Sequence, residues 1–218
     1  MFIGHYAVAL AAKKAAPKTS LGTLFLAAQF VDLLWPVMLL AGLEHVRVAP
    51  ENSPFLRLDF TDYPITHSLA GAVAWSVILA VLYRVIRRET RGALVVGLCV
   101  FSHWILDFLT HRPDLQLWFT GNTRVGAGLW YSPLWTFVVE VAMFAAGVAV
   151  YLRTTHKGDR TGVYAFWSLI VLLLAIYCSN LFGPPPPDPG AIAIAGNAAW
   201  LFVLWAYWVD KHRTVRAS

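Results

Sequence analysis

Six long apolar runs constrain the fold of this chain more than any other feature. Each comes close to the roughly 20 residues that an α-helix needs to cross a bilayer. The runs lie at 21–42, 66–86, 92–111, 131–152, 163–182 and 191–209. They predict an all-α, polytopic membrane helical bundle of about six transmembrane helices, with residues 1–218 as a single integral membrane domain.

The composition agrees with a membrane protein. Hydrophobic residues make up 58% of the 218 residues and charged residues only 13%, whereas about a quarter of a typical soluble domain is charged. The two cysteines, Cys99 and Cys178, both lie inside apolar runs. A framework of disulfides is therefore not expected.

The basic residues predict an orientation in the membrane. The net charge is +5, and the basic side chains collect in short segments near 13–18, 84–91, 153–160 and 211–216. This is the pattern of cytoplasmic loops, not of a basic face for nucleic acid, which we do not expect as a partner. Alternation then places both termini in the cytoplasm. The segments left outside are 43–65, 112–130 and 183–190.

The N-terminal stretch FIGHYAVALAA is too short to cross a bilayer, and lysines follow it. A helix from Lys13 back to His5 rises about 12 Å at 1.5 Å per residue. The stretch therefore predicts a half-helix packed among the spans. On the first span, Asp32 lies about 18 Å above Ser20 by the same rise. His5 and Asp32 are thus expected to approach each other near the middle of the membrane.

The segment FSHWILDFLTHRPD (101–114) carries an unusual polar stripe. His103, Asp107 and His111 are spaced by four residues, so they share one face of a helix. Side chains at i and i+4 can converge on one metal ion. Imidazole and carboxylate together suit zinc, manganese or iron.

Further polar residues lie at matching depths in other runs, namely Asp32, His67 and Glu140. A charged Asp at the centre of a span costs about 2.5–3.5 kcal/mol. The three carboxylates Asp32, Asp107 and Glu140 would together cost about 8–10 kcal/mol if charged and unpaired. Because no Lys or Arg lies at mid-span, the available counter-groups are the histidines or a metal ion that they hold.

Structural interpretations stay open for each of these residues. A buried His–Asp pair can serve packing alone, and His111 can be solvated. Asp62 can cap the second span near Pro64. Cys99, although on the stripe, fits a small apolar filler.

Four segments follow one another in an order that resembles a known family. They are GHYAVALAAKK, VDLLWP, YPITHSLAG and SHWILDFLTHRPD. Together they resemble the bacterial inner-membrane metal-dependent hydrolases, a family also described as LexA-binding. The family pattern has a His near the N-terminus, an acidic residue closing the first span, a His-Ser pair, and H-x-x-x-D. The matching residues are His5, Asp32, His67 with Ser68, and His103 with Asp107.

The resemblance implies a multi-pass protein of the bacterial inner membrane with a divalent metal, zinc before manganese or iron. The family is distantly similar to zinc phospholipase C, and this similarity implies hydrolysis of a phosphoester. The implied metal ligands are His5, Asp32, His67, His103 and Asp107, and the depth of His111 adds it to them. Glu140 and Asp107 are the candidate catalytic carboxylates. Membrane lipid, or an amphiphilic small-molecule substrate, is the expected partner.

Two other functions remain open from the sequence. Intramembrane His and carboxylate residues also mark pathways for protons or metal ions, which would make the protein a transporter. A membrane scaffold with a buried polar network is the third possibility. Ion flux in sealed vesicles would indicate transport, whereas a scaffold would bind no metal.

Overall fold

The computed structural model describes residues 1–51 and 57–216, so the segment 43–65, which is expected outside, is described apart from 52–56. The helices are α1 (Ile3–Ala15), α2 (Leu21–Ala28), α3 (Phe30–Leu40), α4 (Pro64–His67), α5 (Leu69–Arg87), α6 (Thr90–Thr110), α7 (Pro133–Thr154), α8 (Arg160–Phe182), α9 (Pro189–Asn197) and α10 (Trp200–Lys211). Short strands form antiparallel pairs: β1 (His45–Val48) with β2 (Leu58–Asp62), β3 (Leu115–Gln116) with β4 (Arg124–Val125), and β5 (Thr155–Lys157) with β6 (Arg213–Val215).

The predicted helical bundle is confirmed. Among the described residues, α5, α6, α7, α8 and the combined α9–α10 are long and apolar enough to cross a membrane. Helices α2 and α3 together make a sixth candidate. These helices correspond to the six apolar runs of the sequence.

The first span, 21–42, is not the continuous helix that the sequence predicts. It bends by 56° between α2 and α3, where Gln29 leaves the helical conformation with φ −104° and ψ 5°. The Gln29 N–H still donates to the Phe25 carbonyl at 3.0 Å, and the Gln29 carbonyl accepts from Leu33 N–H at 2.8 Å. The break could not be predicted from local residues, because neither glycine nor proline stands there.

The N-terminal half-helix α1 lies inside the bundle. Ile3, Ala9 and Leu10 are fully buried, as expected for a helix with neighbours all round. Helix α7 approaches it closely at Gly147, where a Cβ atom would lie 2.5 Å from the Ala7 carbonyl oxygen. This contact requires glycine, because any side chain would push the two helices apart.

The basic segments gather at one end of the bundle. Lys13 Nζ lies 2.8 Å from Asp210 Oδ1, the hydroxyls of Thr19 and Tyr83 are 2.9 Å apart, and β5 pairs with β6. These contacts join the ends of α1, α5, α7 and α10. All four basic segments therefore share one side, as their sequence pattern requires.

The start of the second span differs from one expectation. Helix α5 begins after Ser68, whose hydroxyl accepts a hydrogen bond from Gly71 N–H at 2.9 Å. Asp62 instead lies at the end of β2. The interpretation of Asp62 as a helix cap is therefore wrong, because the short turn α4 separates it from the span.

Candidate metal centre

The polar stripe on α6 forms as predicted. His103 Nε2 lies 3.1 Å from Asp107 Oδ2, and both side chains are buried. Helix α6 ends at Thr110, so His111 is the first residue beyond it. The His111 ring still turns toward the stripe, with Nε2 3.9 Å from Asp107 Oδ1.

Three other elements bring polar groups to this stripe. His5 of α1 places Nε2 3.1 Å from Asp107 Oδ1. Asp32 of α3 places Oδ1 3.5 Å from His103 Nε2 and 3.2 Å from His67 Nε2. The six predicted ligands thus lie together. Two sets have ligand atoms within 4.8 Å of one another, namely His5, His103 and Asp107, and Asp32, His67 and His103.

These separations fit a metal ion. With metal–ligand bonds of about 2.0–2.1 Å, neighbouring ligand atoms of a tetrahedral site lie about 3.3 Å apart. His103 Nε2 is buried and has no hydrogen-bond partner among the described residues, although carboxylate oxygens lie 3.1 and 3.5 Å away. An unpartnered buried nitrogen costs about 1–3 kcal/mol. A cation between this nitrogen and the two carboxylates would satisfy all three groups.

The break between α2 and α3 orients His103. Ala28 is the last residue of α2, so its carbonyl is one of those that a helix end leaves without an intrahelical partner. His103 Nδ1 lies 2.7 Å from that carbonyl oxygen. A carbonyl only accepts, so Nδ1 carries a proton, and in the neutral imidazole Nε2 presents its lone pair to the cluster. A hydrogen bond from the second ring nitrogen to an acceptor of the protein is typical of imidazoles that bind metals.

His67 is oriented through Thr66 and Glu44. The Thr66 hydroxyl donates to Glu44 Oε2 at 2.7 Å and lies 2.7 Å from His67 Nδ1. Because the hydroxyl proton goes to Glu44, the hydroxyl oxygen accepts from His67 Nδ1–H. His67 Nε2 is then free to bind a metal. The other carboxylate oxygen of Glu44 accepts from Thr66 N–H at 2.8 Å.

Asp114 orients His111 as Thr66 and Glu44 orient His67. Its Oδ1 lies 2.9 Å from His111 Nδ1 and accepts from the Tyr63 hydroxyl at 2.8 Å, and its Oδ2 accepts from Arg112 Nε at 3.2 Å. Burial acts to raise the pKa of Asp114, but the hydrogen bond and charge of His111 outweigh it, and the pKa is lowered. Burial, together with the charge of Asp114, raises the pKa of Tyr63.

The sequence reasoning missed Glu44, Thr66 and Asp114. Glu44 stands among the mixed charges of an outer segment, where a solvated carboxylate is the ordinary expectation. The sequence did carry weak signals, since Thr66 directly precedes His67 and Asp114 follows His111 by three residues.

Glu140, a candidate catalytic carboxylate, lies outside both ligand sets. It is fully buried on α7, and its Oε2 accepts from the N–H groups of Phe2 at 2.9 Å and Gly4 at 3.3 Å. It therefore holds the first turn of α1, which carries His5. Its role as a general base stays a prediction.

The cluster reaches the surface at Asp32. The side chain of Asp32 is 33% exposed, whereas those of His5, His67, His103 and Asp107 are at most 5% exposed. The end of the cluster at His111 is covered, since the ring centroids of Trp130 and His111 lie 4.1 Å apart. An outside molecule would thus meet Asp32 first.

One comparison with known proteins gives a match. The model of the YdjM inner membrane protein family matches residues 1–182. No curated protein and no solved structure matches the chain. The matched range contains all six predicted ligands. Together with the apolar helices, it identifies a multi-pass inner membrane protein.

Proposed function

The chain belongs to the YdjM inner membrane protein family, and from this starting point we propose that it is a membrane-embedded, metal-dependent hydrolase. One observation carries the proposal. The Nε2 atoms of His67 and His103 lie within 3.9 Å of carboxylate oxygens of Asp32 and Asp107, while acceptors hold both Nδ1 atoms. Zinc is the proposed ion, with manganese and iron as the alternatives to test.

Asp32, His67, His103 and Asp107 would hold the ion. Two carboxylates balance a divalent charge, and the imidazoles stay neutral, so the loaded set suits an apolar bundle. When bound, the ion would polarise a scissile ester and activate a water molecule. His103 Nε2 makes no hydrogen bond although carboxylate oxygens lie 3.1 and 3.5 Å away, which supports a shared cation over a network that only stabilises packing.

The exposed side of Asp32 favours an amphiphilic substrate. A molecule lying in the membrane can bring a polar ester group to this side of the bundle while its apolar part stays in lipid. We propose a lipid-like phosphoester. Glu140 stays the proposed proton acceptor, because the N–H groups of Phe2 and Gly4 bond only its Oε2 and its Oε1 has no hydrogen-bond partner among the described residues.

Metal content and turnover test the proposal together. The protein would be purified in detergent without a metal-affinity tag, as wild type, as Asp32→Asn, and as the matched control Asp210→Asn at the opposite end of the bundle. Elemental analysis gives bound metal, and a short-chain phosphatidylcholine gives hydrolysis. We expect both in wild type and Asp210→Asn, and neither in Asp32→Asn.

The outcomes separate the possible functions. Bound metal without turnover, but with ion flux in sealed vesicles, would replace the hydrolase by a transporter. A folded wild type that takes up no zinc, manganese or iron would refute any metal-dependent role.

We also propose that both termini face the cytoplasm, because the basic segments share one end of the bundle and cytoplasmic loops are rich in Lys and Arg. Single cysteines at Lys157 and Asp62, in a chain without its native cysteines, would be labelled in intact spheroplasts by an impermeant thiol reagent. We expect labelling at position 62 only. Labelling at position 157 only would reverse the orientation.

A further inference from the structure

We propose that this centre holds two divalent ions and that Asp107 bridges them with its two carboxylate oxygens. The inference rests on the proposed metal site and adds the number of ions and the residues assigned to each.

The two oxygens of Asp107 face different histidines. Oδ2 lies 3.1 Å from His103 Nε2 and 3.9 Å from His67 Nε2. Oδ1 lies 3.1 Å from His5 Nε2 and 3.9 Å from His111 Nε2. Each oxygen therefore has its own pair of imidazole nitrogens. Asp32 completes the set around Oδ2, because its Oδ1 lies 3.2 Å from His67 Nε2 and 3.5 Å from His103 Nε2.

The stacking of His5 on His103 argues against one shared ion. The two rings are parallel within 3°, and their centroids are 3.5 Å apart. An imidazole binds a metal in the plane of its ring, so an ion in the plane of one ring lies well out of the plane of the other. A spacing of about 3.5–4 Å is instead the usual distance between the ions of a two-metal site.

The charges add a reason to connect the second ion with the proposed substrate class. Two divalent ions bring four positive charges, whereas Asp32 and Asp107 supply two negative ones. The surplus suits an anionic group such as a phosphoester. In the present structure the Met1 amino group lies 2.5 Å from Asp107 Oδ1, so a positive charge already accompanies this oxygen. That amino group is the competing counter-charge.

The two sets should differ in affinity. The set around Oδ2 has four protein ligands, and the Nδ1 atoms of both its histidines are held by acceptors. The set around Oδ1 has His5, His111 and Asp107, and His5 Nδ1 has no partner in the described part of the chain. Since outer contacts typically change metal affinity 10- to 100-fold, the ion at Oδ1 should bind more weakly.

Titration of the whole protein with manganese(II) tests this inference. The detergent-purified chain would be stripped with a chelator, and bound manganese would be measured at each concentration. We expect two ions per wild-type chain in two steps, and an electron paramagnetic resonance spectrum of two coupled ions at saturation. His111→Gln should lose the weaker step and the coupling, and keep one tightly bound ion.

A second variant protects the test against misfolding. His5→Gln removes the other histidine of the weaker set from a different helix, and it should give the same single ion as His111→Gln. His67→Gln should weaken the tight step instead. Thermal unfolding in the stripped state would show that each variant is folded.

The remaining outcomes are distinct. One tightly bound ion per wild-type chain, without coupling, would overturn the two-ion assignment and leave the proposed function standing. Two ions that survive both His5→Gln and His111→Gln would also overturn the assignment. No bound ion in a folded wild type would refute the proposed function itself.

Discussion

The Thr66→Val substitution tests how far the hydrogen bonds behind the candidate ligands determine the metal affinity of the proposed centre. Valine has almost the shape of threonine, so the fully buried site stays packed. The change removes one hydroxyl, which donates to Glu44 Oε2 at 2.7 Å and lies 2.7 Å from His67 Nδ1. Both partners then lose a hydrogen bond.

The expected magnitudes follow from these two lost bonds. A buried polar group left without a partner costs about 1–3 kcal/mol, so the two groups would lower the free energy of unfolding by about 2–6 kcal/mol. Removal of an outer contact weakens metal binding about 10- to 100-fold. Since each tenfold change is about 1.4 kcal/mol, that loss is about 1.4–2.8 kcal/mol. Without the hydroxyl, Nδ1 of His67 has lost its acceptor, so the proton can move to Nε2. A protonated Nε2 has no lone pair and cannot bind a metal.

Two measurements on detergent-purified protein check these values. Metal titration gives the affinity, and thermal unfolding in the stripped state gives the stability. Thr66→Ser keeps the hydroxyl and serves as the matched control, so it should retain the wild-type affinity. Equal metal affinities of Thr66→Val and Thr66→Ser would refute the reasoning that Thr66 and Glu44 orient His67.

Three further changes have defined outcomes. Removing the metal with a chelator should lower the free energy of unfolding by about 2.7 kcal/mol relative to protein with free metal at 100 times its Kd, seen as a lower Tm; an unchanged Tm would contradict the metal site. Gly147→Ala places a Cβ 2.5 Å from the Ala7 oxygen and should lower the free energy of unfolding by about 1–3 kcal/mol. The control Gly97→Ala, whose nearest contact is 3.1 Å, should lower it less. Equal losses in the two variants would contradict the close approach of α7 to α1. Ser68→Ala loses the cap on Gly71 N–H and should cost about 1 kcal/mol, whereas Ser68→Thr should not.

The spans could be predicted because their cause is local. A run of about 20 apolar residues is long enough to cross a bilayer, whatever the rest of the chain does. The lysines at positions 13 and 14 similarly indicated where α1 ends, and both lie in its last turn. The break at Gln29 was not predictable from nearby residues. It frees the carbonyl of Ala28, and the hydrogen bond to this carbonyl comes from His103 on a helix distant in sequence.

The gathering of the candidate ligands was also predictable, whereas the contacts that orient them were not. A carboxylate such as Asp107 in an apolar run needs a partner that neutralises its charge, and this need can be read from the sequence. Glu44 and Asp114 lie in polar segments, where such residues are ordinary. Only the fold turns Glu44 toward Thr66 and Asp114 toward His111, and no local pattern records those long-range contacts.

The short length of α1 has a consequence for how the protein is made. This helix leaves the ribosome before α6 and α7, which hold it in the bundle and begin only at Thr90 and Pro133. With 13 residues it cannot be inserted as a span of its own. His5 therefore reaches Asp107 only after most of the chain has entered the membrane. Complete assembly of the candidate metal centre thus requires that synthesis and insertion have passed α7, and a chain truncated before α7 cannot complete it.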